Sequence, residues 1–197
     1  MTSSRLFNFL ASVLLVSLAW ACSPKPDPPP PFELTATVKD LMDSVVDPNA
    51  DGLWESVAVE ATLQGVTRKQ PETDDDWKAL RRHAIAIIEV SNSLIIPGRR
   101  IAQPHEKAEN DKIDLTPEEI QAAKDRDPDA WIKFARGLHD AGVLNLKAVE
   151  SRDLTKFMDA GEALDTACEN CHKNYWYRDD PALYSSDPRK LGTESGK

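Results

Sequence analysis

Cys168, Cys171 and His172, within the stretch ACENCHKNYWY, have types and spacing that suit chemistry together. On a helix, positions i, i+3 and i+4 share a face. Two thiols at that spacing can add to the two vinyl groups of a haem while the adjacent imidazole takes the iron, which is why C-x-x-C-H is read as a c-type haem attachment sequence. Three other chemistries compete. Zinc usually needs a second cysteine or histidine pair, and the remaining cysteine, Cys22, lies far upstream across a proline-rich segment. A redox dithiol belongs at a helix N-terminus, where the dipole lowers a thiol pKa; these cysteines come late in a helical pattern. A disulfide between helical i and i+3 positions rarely meets the required geometry. One covalent haem c, with His172 as an axial ligand, is the favoured reading over these and over a chance match to a short motif.

The elements that must position this cluster read as helices from residue 34 onward, with no convincing strand alternation. The first stretch puts Val38, Leu41, Met42 and Val45 on one face and resumes with Leu53, Trp54 and Val57; Pro48 is expected to bend or break it near Val46. The second opens at Thr73 with an acidic first turn and buries Trp77, Leu80, Ala84, Ile87, Ile88, Ser91 and Ile95. A long polar connection follows, with its own short helix capped by Thr116, Pro117 and Glu119. The third core helix starts at Asp127 and turns Trp131, Phe134, Ala135, Leu138, Ala141, Gly142 and Val143 or Leu144 inward. The fourth carries Leu154, Phe157, Met158, Gly161, Leu164, Cys168, Cys171, His172 and Tyr175 on one stripe. The expected fold class is all-α, a four-helix bundle spanning 34–178, a scaffold that places cofactors between facing side chains.

The N-terminus reads as an export signal over 1–21, with Arg5, an apolar run and small residues before Cys22. That run has about 15 residues, short of the roughly 20 needed to cross a bilayer. Ala21-Cys22 is similar to a bacterial lipobox, although Ala19 stands where leucine is usual, and lipidation of Cys22 would account for an odd cysteine. Residues 22–33 are proline-rich and read as a semi-rigid tether; residues 179–197 read as an uninformative tail. The implied location is the periplasmic side of a bacterial membrane. A net charge of -9 without a basic patch argues against nucleic acid as a partner.

A helical chain with C-x-x-C-H near its C-terminus and an aromatic three residues after the histidine, as in CHKNY, resembles the cytochrome c′ family, over about residues 34 to 177. Members often carry a basic residue after that aromatic; here Trp176 takes the place, with Arg178 two further on. The resemblance implies a haem held by Cys168 and Cys171, with His172 on one face and a first-helix side chain on the other. In low-spin relatives that side chain is a methionine, and Met42 occupies the matching helix. Met158 shares the helix of Cys168 and cannot reach the opposite face. His83, His105 and His139 are weaker ligand candidates, and Arg81, Arg82, Arg99 and Arg100 are candidates for the propionates. Trp54, Trp77, Trp131, Phe134 and Tyr175 are expected around the haem. The implied function is electron carriage through a His172/Met42 haem, not catalysis. The alternative is a five-coordinate protein that binds nitric oxide. The redox partner is unidentified, and related bundles often form homodimers.

Overall fold

Thr37 opens the first helix with a reciprocal cap, its hydroxyl accepting from the Asp40 amide while the Asp40 carboxylate accepts from the Thr37 amide. The computed structural model describes residues 33–63 and 65–178; the export signal, Cys22, nearly all of the proline-rich tether and the tail lie outside them. Helix α1 (Val38–Leu41) passes directly into a π-helical turn, Met42–Val46, and then into α2 (Asp47–Trp54). The expected break near Val46 does not occur. Pro48 has no N–H and its ring crowds the carbonyl four residues back. The helix instead widens ahead of it, with the Asp47 amide donating to the Met42 carbonyl five residues earlier.

The chain is predominantly helical, but the expectation of no strands is corrected by one antiparallel hairpin, β1 (Ala58–Thr62) with β2 (Gly65–Lys69), in which Ala58 faces Lys69 and Ala61 faces Val66. Its apolar residues Val59, Leu63 and Val66 are exposed. With no buried face among its described residues, there is little hydrophobic alternation to read. Gly65 takes φ +137°, a conformation other residues avoid, just past the tip.

Helix α3 (Asp74–Leu94) begins with a Thr73–Asp76 capping box, and α4 (Pro117–Arg126) with a Thr116–Glu119 box. Helix α5 (Pro128–Ser151) is capped by Asp127 and ends at Arg152 in the left-handed conformation; α6 (Leu154–Tyr175) is capped by Asp153. Helix α5 packs against both α3 and α6, while α2 rests mainly on α3. A Cβ on Gly142 would come within 2.9 Å of the Ile88 side chain, so glycine there sets how closely α5 approaches α3. Leu53, Ile87 and Leu164 are among the most deeply buried side chains. Met158, placed on an inward stripe by periodicity, is exposed instead, and of the pair Val143 or Leu144 it is Val143 that is half-buried while Leu144 is exposed; Ala148, Val149 and Ala160 take core positions of α5 and α6.

Candidate functional site

Cys168, Cys171 and His172 lie in the last turns of α6, half-buried, and face the π turn that carries Met42. Two adjoining cavities meet there. One, of about 680 Å³, runs from Val38 and Met42 past Ile101, Leu115 and Ile120 to Cys171, His172 and Tyr175. The other, of about 490 Å³, lies between Met42, Val46, Leu94, Phe134 and Leu138 on one side and Cys168, Cys171 and His172 on the other. Met42, Trp131, Cys171 and His172 line both.

The electrostatics of the cluster separate the competing chemistries. Burial, reinforced by Asp165, Asp47 and Glu169, pushes the Cys168 thiol up to about 11. Burial and the neighbouring Cys168 push Cys171 up to about 12. Both thiols are therefore favoured in the protonated form at neutral pH, unlike the activated thiolate of a redox nucleophile. Burial lowers the His172 pKa, opposed by Glu169 and Asp47, so the imidazole is favoured in the neutral form that carries a lone pair. Among the described residues no three His, Cys, Asp or Glu side chains form a metal-binding group. An apolar cavity, two neutral thiols one helical turn apart, a neutral imidazole and a facing thioether fit a covalently held haem.

Aromatic packing stiffens this end of α6. Tyr175 meets Trp131 edge-on with centroids 5.0 Å apart and Phe134 at 5.7 Å. Trp131 Nε1 donates to the Leu94 carbonyl at 3.0 Å. The other two expected anchors lie elsewhere. Trp54 lines a separate cavity, and Trp77 packs on Phe157.

None of the four arginines proposed for the propionates lines either cavity. Arg99 is buried and donates to the carbonyls of Ser93, at 2.8 Å, and Ala36. Arg81 pairs with Glu150 at 3.3 Å, Arg100 donates to Gln103 at 2.9 Å, and Arg82 is exposed. The cations on the cavity wall are Lys39 and Lys107, which sequence reasoning missed because lysines are frequent on every solvated face. Lys39 is already paired with Asp43 at 3.0 Å and Glu109 at 3.4 Å. The other histidines lie outside the lining: His83 bonds Asn49 at 2.9 Å, His139 sits beside Asp140, and His105 is exposed on the connection after α3.

That connection forms the outer wall of the larger cavity, a role with no motif to announce it. Asp114 is buried and accepts from Trp176 Nε1 and from the Asn110 amide, each at 2.9 Å. Leu115 donates its amide to the Trp176 carbonyl at 2.7 Å, and the Arg178 amide donates to Ile113 at 2.8 Å. The Arg178 guanidinium closes the strap with two bonds to Glu119, at 3.0 and 2.9 Å. Trp176, standing where the resemblance leads one to expect a cation, thus fastens the chain after His172 to the cavity wall. No protein-family model matches this chain, and neither a curated protein nor a solved structure is found to be similar to it.

Proposed function

We propose that the protein is an exported c-type cytochrome, a four-helix bundle with one covalent haem c that carries single electrons. The observation that carries this reading is that Met42 and His172 line the same two apolar cavities beside Cys168 and Cys171. The four helices would be the first helical stretch from Val38 to Trp54 with α3, α5 and α6. Cys168 and Cys171 would hold the haem through thioether bonds, each thiol hydrogen passing to the vinyl carbon. His172 and Met42 would hold its iron. When bound, the haem supplies reversible one-electron exchange at iron, and a methionine ligand raises its potential.

The chain's own contribution is to bind, orient and dry the site. Trp131, Phe134 and Leu138 exclude water, and burial keeps His172 neutral for ligation. Of the two carboxylates that act on His172, Glu169 and Asp47, the second is held above the usual carboxylate range by burial and Asp43. We read this cavity as a carrier site, without an acid–base pair serving a substrate. Lipidation of Cys22 would hold the domain at the periplasmic side of a membrane; among the described residues no helix is long and apolar enough to cross one. The net charge of -9 suits a redox partner with a positive docking face.

A haem stain of the denatured full-length protein and its oxidised and reduced spectra test this. The expected result is a stained band lost on replacing Cys168 and Cys171 together by alanine. The ferric spectrum should be low-spin and become high-spin in Met42→Ala. A stained band with an unsubstituted spectrum already high-spin, and ready carbon monoxide binding at neutral pH, would replace the carrier with a five-coordinate nitric-oxide-binding protein. An unstained band would remove both.

A further inference from the structure

Another cavity, of about 780 Å³ and partly open to solvent, lies between α2 and the N-terminal half of α6, lined by Leu53, Trp54, Val57, Phe157, Met158 and Gly161. It shares no residue with the cavities at His172. Asn145 of α5 also lines it and is 0% exposed. The Asn145 amide nitrogen donates to the carbonyls of Ala141 at 3.0 Å and Ala160 at 2.8 Å. These two carbonyls fix which end of the amide is which, since a flipped amide would set oxygen against oxygen. Its Oδ1 is left with no hydrogen-bond partner among the described residues. A buried acceptor without a donor is costly.

The lining specifies what would satisfy it. Trp54 Nε1 already donates to the Gly161 carbonyl at 3.1 Å, so this indole has no donor to offer Asn145 Oδ1. Glu162 and Asp165 at the rim repel anions. An ammonium group would lose its hydration against a neutral amide. What remains is a neutral donor on a flat apolar body. Met158, 55% exposed, is the adaptable wall that can yield to admit it. We propose that this cavity binds a neutral hydroxylated aromatic, of the phenol or hydroquinone class, with its hydroxyl donating to Asn145 Oδ1 and its ring against Trp54 and Phe157. The site is separate from the haem reading and stands without it.

Calorimetric titration of the full-length protein with 4-ethylphenol, ethylbenzene and 4-ethylanisole tests the inference. The phenol is expected to bind saturably and about tenfold more tightly than the two compounds that cannot donate. Asn145→Leu should erase that preference. Gly161→Leu should block all three: a Cβ there has ordinary space, 3.6 Å from Trp54 Cδ1, and a longer chain fills the cavity while favouring the helix. If Asn145→Leu does not fold, the ligand series on the unsubstituted protein and Gly161→Leu decide. Equal affinity for the three compounds overturns the proposal. So does an absence of saturable binding of the phenol.

Discussion

Two connections of similar polarity leave the helices and have opposite fates. The hairpin formed by β1 and β2 pairs its backbone with itself and leaves Val59 and Val66 exposed, with Leu63 at the tip fully so. The stretch from 95 to 116 has no ladder of its own and is bonded instead to the helices around it. Arg100 and Ile101 accept the amides of Val38 and Lys39, the first-turn donors that α1 cannot satisfy internally. The Ile101 amide donates to Gln121 at 3.0 Å, and Lys124 Nζ donates to the Arg99 carbonyl at 2.6 Å. Regular hydrogen bonding is therefore a poor guide to integration. The irregular segment holds the helix that carries Met42 and walls the cavity beside His172, whereas the regular one is self-contained.

Substitutions can break this contrast, beginning where the loss should be largest. Arg99→Met removes a buried guanidinium from two carbonyls and should cost about 3 kcal/mol, read as a lowered urea midpoint. Asp114→Ala strands Trp176 Nε1 and the Asn110 amide; a loss of about 2 kcal/mol is expected, with a changed near-ultraviolet tryptophan signal, while Asp114→Asn should retain more of both.

At the base of the hairpin the test is pH. His83 borders a polar cavity with Lys69, Gln70 and Asp76, and burial, aided by Arg82, lowers its pKa from 6.5. Below 6.5 the unfolded chain takes up this proton more readily than the folded one, so stability falls with pH until the lower folded pKa is passed. Denaturant midpoints between pH 8 and 5 should therefore decline less steeply in His83→Gln than in the unsubstituted protein. Leu63→Ser should change stability by no more than about 0.5 kcal/mol. A loss of several times that would show the hairpin to be part of the cooperative core and dissolve the comparison.

What could be read beforehand follows the same division. Caps at Thr73, Thr116 and Asp127 and the stripe through Leu80, Ala84 and Ile87 rest on local chemistry and period, and each is in place. Met42 and His172 line common cavities, as facing helices would require. The hairpin escaped because Val59 and Val66 bury nothing and leave no alternation. Trp176 and Asp114 escaped because their bond joins residues 62 positions apart, and no local pattern encodes such a pairing. Arginine type alone likewise pointed to Arg99 as an anion partner, when its burial against backbone carbonyls makes it a fastener of the chain.

The π turn at Met42–Val46 amounts to a change of angular phase along one continuous helix. A single residue advances an α-helix by about 100°, so the widened turn sets the bearing of Val38 and Leu41 independently of Ala50 and Leu53. Deleting Ser44 would restore an ordinary winding and turn everything before it, the segment tied to Arg100 and Ile101 included, by roughly that angle. The direction in which Met42 points is thus recorded in the spacing of its helix as much as in the identity of the residue.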